Sequence, residues 1–289
     1  MTAAILAAVL GNARRVGRDW RCRCPLHGGC SLTLRDGGGV LLVRCWAGCE
    51  THDVLAALRR MGLIGGRRGD GRPRPALHSG DRDDAARRSA LARRIWDAAR
   101  DARGSPVVLY LTGRRLTIAP PPVLRYGPAL RRPDGSYGPA MVARIDDVDG
   151  RLIGVQRTYL TPEWHRRDRA SLGPVGGGAV RLAPTGETLL VGEGIETCLA
   201  AMQATAQPAW AALSTSGMVA LILPPTVRSV VILADHDRNG AGGRAAFAAG
   251  QRWLAEGRRV RIALPPERGT DFADVLQGRA YAELHDAGA

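Results

Sequence analysis

Five of the six cysteines of this 289-residue chain lie within the 28 residues from Cys22 to Cys49. Cysteines of a disulfide framework are usually spread along a small secreted domain, whereas a tight cluster with paired spacing is typical of a metal site. Two pairs have such a spacing, because two residues separate Cys24 from His27 and three separate Cys45 from Cys49. The cluster therefore predicts that the N-terminal part of the chain folds around a metal ion.

Two strand candidates, SLTLR and VLLVR, lie between the two pairs and are joined by the turn Asp36-Gly37-Gly38-Gly39. A hairpin of these strands brings both pairs to one point, which predicts a zinc ribbon. Three thiolates and one imidazole suit zinc, and four protein ligands leave no open position for chemistry. We therefore expect one structural zinc ion. Cys22 or Cys30 replacing a neighbouring ligand, and a cluster of reduced buried thiols without metal, are the alternatives.

All 41 basic residues are arginine, and the chain contains no lysine. This composition excludes mechanisms that need a lysine, such as those of Walker A ATPases, Schiff-base enzymes and lysine-adenylating ligases. Residues 1–187 hold 32 arginines and 17 acidic residues, whereas residues 188–289 hold 9 arginines and 10 acidic residues. A basic part beside a nearly neutral part fits a polyanion held next to a cation-binding carboxylate site, so we expect contact with nucleic acid. The alternative is a genomic bias toward arginine codons.

Shifts in composition divide the chain into four segments. Residues 1–64 form the predicted zinc ribbon, and residues 65–88, rich in Gly, Pro, Arg and Asp, predict a flexible linker. Residues 89–186 combine a helical stretch with the strands AMVARIDD and LIGVQRTYL, which predicts a basic α+β domain. In residues 187–289 short apolar strands alternate with helices, which predicts an α/β fold with a Rossmann-like parallel sheet.

No apolar run of the sequence approaches the roughly 18 residues that span a bilayer. The opening stretch MTAAILAAVL is also too short and lacks a basic leader. We therefore expect a soluble, cytoplasmic protein that does not bind a membrane.

Acidic residues follow the strands of the last segment. Glu193 directly follows the strand TLLVG, and the strand SVVILAD is followed by His236 and Asp237, so alternation points Asp235 and Asp237 the same way. Open parallel sheets bind ligands at the carboxyl ends of their strands, and carboxylates suit Mg²⁺. Asp271 and Asp274 follow the strand RVRIAL and can join from a neighbouring edge. We predict a Mg²⁺ or Mn²⁺ site of these five carboxylates; the alternative for the aspartate pair is a turn or helix cap.

The stretches VGEGIETCLAA and ILADHDRNGAG resemble the Toprim domain of phage and plasmid primases, a domain that topoisomerases and some nucleases share. This resemblance implies that Glu193 is the catalytic acid or base and that the catalytic residues Asp235 and Asp237 hold the metal ion. Glu196, one helical turn further on, is a secondary candidate. Its alternative is a surface residue that the helix dipole favours in the first turn.

The Cys/His cluster carries a second resemblance. The Cys24–His27 pair, the hairpin and a second pair that encloses Trp46 resemble the zinc-binding domain of bacterial and phage DNA primases. Replicative enzymes usually have CxxC as the second pair, and CxxxC is the form in phage and plasmid primase-like proteins. The resemblance implies contact with single-stranded template, with Trp46 stacking on bases and Arg44 contacting phosphate. The alternative for Trp46 is that it covers the metal site.

Phosphate-contacting candidates in the middle segment are Arg125, Arg144, Arg157 and Arg181, for which a solvated face is the alternative. The order of zinc ribbon, basic domain and Toprim domain is the order found in primases. We therefore expect metal-dependent primer synthesis in DNA replication, with single-stranded DNA and nucleoside triphosphates as partners and a separate helicase. A Toprim-type metal-dependent nuclease and a catalytically silent single-stranded DNA-binding protein of a mobile element are the alternatives.

Overall fold

The computed structural model describes residues 2–37, 40–46, 49, 51–64, 79–235, 241–265, 269–270, 272, 275 and 283–286. The chain forms two compact units, Met1–Ala76 and Leu77–Ala289. One sheet belongs to the first unit and two sheets belong to the second. The predicted class, a mixed α/β chain with an N-terminal Cys/His cluster and a C-terminal sheet that contains parallel strands, is confirmed.

The first unit contains two helices and a four-stranded antiparallel sheet in the order β1-β2-β3-β4. Its elements are α1 (Ala3–Leu10), β1 (Arg14–Val16), β2 (Asp19–Cys22), β3 (Leu32–Gly37), β4 (Val40–Cys45) and α2 (Thr51–Arg60). Strands β3 and β4 pair along their whole length, so the predicted hairpin is confirmed. Gly38 and Gly39, in the predicted turn, lie outside the described residues.

One face of this sheet packs against both helices. Leu32 and Leu34 alternate inward along β3, and Val54 and Leu58 lie one turn apart on the buried face of α2. Helix α1 begins after Thr2, whose hydroxyl caps the first turn, and buries four small or aliphatic side chains in the same core. The sheet therefore has one covered face and one outer face.

The second unit begins with a five-stranded antiparallel sheet in the order β5-β6-β7-β8-β9. Its elements are α3 (Ser79–Ala98), β5 (Arg100–Asp101), α4 (Pro106–Gly113), β6 (Leu124–Arg131), β7 (Tyr137–Asp146), β8 (Leu152–Leu160) and β9 (Arg166–Leu172). The two predicted strands of this region are β7 and β8, and Gly150 takes a positive φ of 80° in the turn between them. Helix α3 begins at Ser79, so the segment interpreted as a linker becomes helical before residue 88.

A six-stranded sheet follows, in the order β10-β12-β11-β13-β14-β15. Its elements are β10 (Val180–Arg181), β11 (Thr188–Gly192), α5 (Ile195–Thr205), β12 (Ala209–Ala211), α6 (Thr215–Ala220), β13 (Ser229–Leu233), α7 (Ala241–Ala255), β14 (Arg259–Leu264) and β15 (Glu283–Asp286). The four inner strands are parallel, as the alternation of strands and helices predicts. The outer strands β10 and β15 are antiparallel, which that alternation does not predict.

The two sheets of the second unit share one apolar core. Val107 and Leu111 of α4 and Met141 of β7 belong to the same buried cluster as Leu190 of β11 and Leu199 of α5. Helix α3 covers the opposite face of the antiparallel sheet through a smaller cluster. The middle and last segments of the chain are thus packed on each other, while the boundaries predicted after residues 64, 88 and 186 stay predictions. Among the described residues, no helix has the length and apolar character needed to cross a membrane.

Candidate active site and metal centre

The carboxyl ends of β11 and β13 bring two of the predicted acidic residues to one edge of the sheet. These strands are parallel neighbours, and their last residues, Gly192 and Leu233, are paired. Glu193 follows Gly192 directly, and Asp235 lies two residues beyond Leu233. Both acidic residues are half-buried. The structure therefore places Glu193 and Asp235 at the ends of neighbouring strands, as predicted.

Two glycines allow the chain to turn from β11 into α5 around Glu193. A Cβ atom on Gly192 would lie 2.9 Å from the Cys198 sulfur, so a larger residue would clash with this buried side chain of α5. Gly194 occupies the N-cap position of α5, and a Cβ atom there would lie 3.1 Å from the Thr197 hydroxyl. The sequence Gly-Glu-Gly is thus a tight strand-to-helix turn that leaves Glu193 at the sheet edge.

A third glycine lets helix α7 approach Asp235. A Cβ atom on Gly242 would lie 2.7 Å from the Asp235 backbone oxygen and 3.4 Å from the Asp235 Cβ atom. Contacts below 3.0 Å with backbone cannot be relieved by a side-chain rotation, so the first turn of α7 needs glycine at this position. Gly242 therefore serves close packing of α7 against Asp235.

Glu196 lies in the first turn of α5, as predicted, but it is not a surface residue. Its relative exposure is 7%. The hydroxyl of Tyr110, which is 3% exposed on α4, donates a hydrogen bond to Glu196 Oε1. The interpretation of Glu196 as a dipole-favoured surface residue is wrong because tertiary packing against α4 covers the first turn.

The carboxylates of Asp235 and Glu196 act electrostatically on the buried thiol of Cys198. Burial raises the pKa of Cys198, and the negative charges of Asp235 and Glu196 raise it further. Cys198 donates a hydrogen bond to the Trp210 carbonyl at 3.2 Å. Cys198 is thus a neutral packing residue between β11, α5 and β12. The remaining predicted carboxylates, Asp237, Asp271 and Asp274, lie outside the described residues, as does His236.

In the first unit, the four predicted zinc ligands converge on one point. One donor atom from each of Cys24, His27, Cys45 and Cys49 lies within 4.8 Å of the others. The Cys24 and Cys49 sulfurs are 3.9 Å apart, and His27 Nε2 lies 3.2 Å from the Cys45 sulfur. We call these four residues the Cys/His centre. Their donor set can bind zinc.

The two other cysteines of the N-terminal cluster stand apart from the Cys/His centre. Cys22 is fully buried in the core of the first unit, and burial raises the pKa of its thiol to about 11. Cys30 is exposed, and its sulfur accepts a hydrogen bond from the Asn12 side chain at 3.2 Å. Neither cysteine belongs to the four-residue group, which favours the ligand set that the paired spacing predicts.

Residues that directly follow His27 in the chain contact its imidazole ring. Gly29 donates its backbone N–H to His27 Nδ1 at 3.0 Å, and the Ser31 hydroxyl lies 2.9 Å from Nε2. A Cβ atom on Gly29 would lie 2.8 Å from His27 Cε1, so glycine is required beside the ring. Gly28 supports the turn with a φ of 74°. The Gly-Gly pair therefore orients the imidazole toward the thiols.

Two thiols of the Cys/His centre, those of Cys24 and Cys49, have raised pKa values. The neighbouring Cys45 thiol and burial raise the pKa of Cys24, and burial raises the pKa of Cys49. A metal ion reverses this shift because the thiolate is the species that coordinates it. The support for a metal ion is the donor set itself, three sulfurs and one imidazole nitrogen within 4.8 Å of one another.

Trp46 lies beyond the end of β4 and is 43% exposed. Its indole N–H donates to the Thr33 hydroxyl at 2.8 Å, and the Arg44 guanidinium carbon lies 4.0 Å from its ring centroid. Leu42 and Arg44 are exposed on the outer face of β4. The predicted nucleic-acid contacts Trp46 and Arg44 are therefore neighbours on the accessible side of the sheet.

Two predicted phosphate contacts, Arg125 and Arg181, are stacked on tryptophans inside the second unit. The Arg125 guanidinium carbon lies 4.1 Å from the Trp96 ring centroid, and Arg125 Nη1 donates to the Trp96 carbonyl at 2.9 Å. Arg181 lies 4.3 Å from the Trp210 ring centroid and donates to the Asp147 carbonyl. Both side chains therefore have partners within the protein.

The other two candidates also have protein partners. Arg144 donates to the Asp146 carboxylate at 2.6 Å, where burial raises the pKa of Asp146. Arg157 donates to the Arg131 carbonyl at 3.5 Å and lies 5.7 Å from the Tyr159 ring centroid. A phosphate bound by any of these four arginines would share the guanidinium with the protein group that it already contacts. Nucleic-acid binding by these arginines stays a prediction.

Two family models match parts of the chain. Residues 86–182 match a domain of unknown function (DUF7146), and residues 188–281 match the Toprim domain. The C-terminal segment is therefore a Toprim domain, as the resemblance of VGEGIETCLAA and ILADHDRNGAG implies. No match was found among curated proteins.

The chain is also similar to solved structures at low sequence identity. A DNA primase domain from Pseudomonas aeruginosa is 21% identical with a TM-score of 0.45, over 67% of this chain and 75% of that one. The zinc-binding and RNA polymerase domains of the Aquifex aeolicus primase are 17% identical with a TM-score of 0.45, over 98% and 84% of the two chains. The E. coli primase catalytic core is 18% identical with a TM-score of 0.45, over 66% and 75%.

Proposed function

We propose that the chain is a primase-like nucleotidyltransferase that acts on single-stranded DNA through a metal-dependent Toprim site. The observation that carries this proposal is the position of Glu193 and Asp235 at the ends of paired parallel strands, within a segment that matches the Toprim domain. Carboxylate oxygens are ligands that Mg²⁺ and Mn²⁺ prefer. Glu193, Asp235 and Asp237 would hold the cation, with Asp271 and Asp274 as further ligands.

The proposed reaction joins two nucleotides on a template. The 3′ hydroxyl of one nucleotide attacks the α-phosphorus of a nucleoside triphosphate, a phosphorus–oxygen bond forms, and pyrophosphate leaves. Glu193 accepts the proton of the attacking hydroxyl as general base. A divalent cation held at this edge would neutralise the negative charge that develops on the phosphoryl oxygens. Asp235 and Asp237 supply the fixed negative charge that retains the cation.

The first unit fits the role of a template-binding module. The Cys/His centre, with a structural zinc ion, would hold β3 and β4 together, since these strands carry or flank its ligands. Trp46 offers a π-face beside the positive charge of Arg44, a combination that binds single strands without reading their sequence. The excess of positive charge in residues 1–187 supports binding of a polyanion.

We expect Trp46→Ala to weaken binding of single-stranded DNA roughly five- to a hundredfold, because one lost base–aromatic stack is worth about 1–3 kcal/mol. Fluorescence anisotropy with a labelled oligothymidine at one fixed salt concentration measures the change. Leu42→Ala is the matched control, since Leu42 is 49% exposed on the strand that precedes Trp46 but offers no π-face. Equal affinities of the two variants would contradict a stacking role for Trp46.

The proposed function is tested by incubating the zinc-loaded chain with single-stranded DNA, ribonucleotides and Mg²⁺ or Mn²⁺. We expect new RNA products that require both the template and the cation. Shortening of the DNA would replace the proposal with a Toprim-type nuclease, in which water is the nucleophile. Unchanged DNA with retained binding would favour the silent binding module.

A further inference from the structure

The helix that follows Glu193 is held by residues from outside the Toprim domain. Helix α5 starts at Ile195, two residues after Glu193, with Gly194 as its N-cap. Because so short a turn separates them, the orientation of the first turn of α5 sets the direction of the backbone at Glu193. Contacts that fix the first turn of α5 therefore also fix the backbone from which the Glu193 carboxylate extends.

The first attachment is the hydrogen bond between Tyr110 and Glu196. The two residues are 86 positions apart, and both are almost fully buried. A buried carboxylate is costly unless its oxygens are hydrogen-bonded, so the Tyr110 hydroxyl stabilises Glu196 in this inward position. Tyr110 lies within residues 86–182, the part of the chain that matches a domain of unknown function.

The second attachment lies near the other end of α5. Gln203 Oε1 accepts the backbone N–H groups of Thr117 at 2.6 Å and Ile118 at 3.2 Å, and its amide nitrogen donates to the Arg115 carbonyl at 3.2 Å. Gln203 lies seven positions after Glu196 in the helix, which is about 10 Å along the axis. The segment from α4 to Ile118 therefore holds α5 at two separate points.

Only the first attachment borders the carboxylate edge. The Glu196 carboxylate oxygen Oε2 lies 3.8 Å from the position that a Cβ atom on Gly194 would take. Asp235 and Glu196 both act electrostatically on the buried thiol of Cys198. Besides Glu196, the charges of Arg114 and Arg166 act on Tyr110. The Tyr110–Glu196 hydrogen bond thus connects α4 with the first turn of α5, three residues after Glu193.

We propose that Tyr110 and Glu196 are a positioning pair, through which the middle segment orients the first turn of α5 and sets Glu193 for cation binding. This inference rests on the proposed metal-dependent Toprim site. It assigns a role to the segment that matches a domain of unknown function: this segment completes a site whose carboxylates all come from the Toprim domain.

The test is the affinity of the zinc-loaded full chain for Mn²⁺, measured by isothermal titration calorimetry in the absence of DNA and nucleotides. Tyr110→Phe removes only the hydroxyl, and we expect Mn²⁺ binding to weaken by about tenfold or more, the scale of one hydrogen bond to a charged group. Gln203→Leu is the matched control because it breaks the distant attachment. It should lower the melting temperature but leave Mn²⁺ affinity at the wild-type value.

A double variant distinguishes a loss of Mn²⁺ affinity from a general loss of protein stability. Tyr110→Phe with Glu196→Leu removes both hydrogen-bonding partners, so no buried carboxylate is left unsatisfied and the melting temperature should recover. We expect its Mn²⁺ affinity to stay low. Wild-type affinity in this double variant or in Tyr110→Phe would overturn the positioning role and leave the pair purely structural.

Failure of the inference is distinguishable from failure of the proposed function. In the same titration, Asp235→Asn shows the heat signal expected when the proposed Mn²⁺ site is absent. If wild type has no Mn²⁺ site that depends on Asp235, the proposed function is wrong and the inference is wrong with it. If that site exists but Tyr110→Phe and Gln203→Leu affect it equally, only the positioning role is wrong.

Discussion

Asp235→Asn is expected to abolish metal-dependent turnover while the fold and the binding of single-stranded DNA stay close to wild type. The substitution nearly preserves shape but removes one negative ligand at the end of β13, in register with the end of β11. Cation binding and the neutralisation of transition-state charge both depend on that ligand, and losing ~4 kcal/mol of stabilisation slows turnover about a thousandfold. The measurement is product formation per minute on a primed and an unprimed template, with Mg²⁺ and with Mn²⁺.

Controls separate this loss from general damage. Asp149→Asn makes the same chemical change at an exposed position in the β7–β8 turn, and its turnover should match wild type. Asp237→Asn should resemble Asp235→Asn if the two aspartates share one cation. Wild-type turnover in both aspartate variants would contradict catalysis at the Toprim site and favour the binding module.

Glu193→Gln distinguishes a general base from a metal ligand. If Glu193 takes the proton of the attacking hydroxyl, its amide variant should lose turnover and the acidic limb of the pH–rate profile by far more than it loses Mn²⁺ affinity, because the aspartates still hold the cation. If Glu193 only ligates the cation, turnover and Mn²⁺ affinity should fall together. Unchanged turnover in Glu193→Gln would leave Glu193 as a residue of the strand-to-helix turn.

Local patterns in the sequence were sufficient to predict the elements that carry the candidate sites. Apolar strands that alternate with helices predict the four parallel strands, and an acidic residue after a strand must lie at the edge where neighbouring strands end. The paired Cys and His spacing with an intervening hairpin likewise predicts the Cys/His centre. In both cases short-range geometry determines where the side chain goes.

Contacts between distant segments were not predictable in this way. The burial of Glu196 depends on Tyr110, and no local signal connects two residues 86 positions apart. The stacking of Arg125 on Trp96 and of Arg181 on Trp210 is of the same kind, since a sequence pattern cannot distinguish an arginine with protein partners from one that faces solvent. The antiparallel edge strand β10 has only two residues, too few to show alternation.

Cys45→Ser is expected to release zinc and to unfold the first unit while the second unit keeps its structure. Cys45 is the last residue of β4 and is 8% exposed, so the substitution removes a ligand at the point where the hairpin meets the other pair. The core of this unit is small, and structural zinc supplies roughly 10–16 kcal/mol of apparent binding energy that becomes folding energy.

The matched control for this prediction is Cys30→Ser, because Cys30 is exposed and lies outside the Cys/His centre. It should keep one zinc per chain by elemental analysis and wild-type dispersion in the NMR spectrum of the first unit. Cys22→Ser should also keep zinc, although it places a hydroxyl in an apolar core and lowers the melting temperature. If Cys45→Ser retains one zinc per chain, Cys45 is not a ligand. Zinc loss in Cys22→Ser with retention in Cys45→Ser would transfer the ligand role to Cys22.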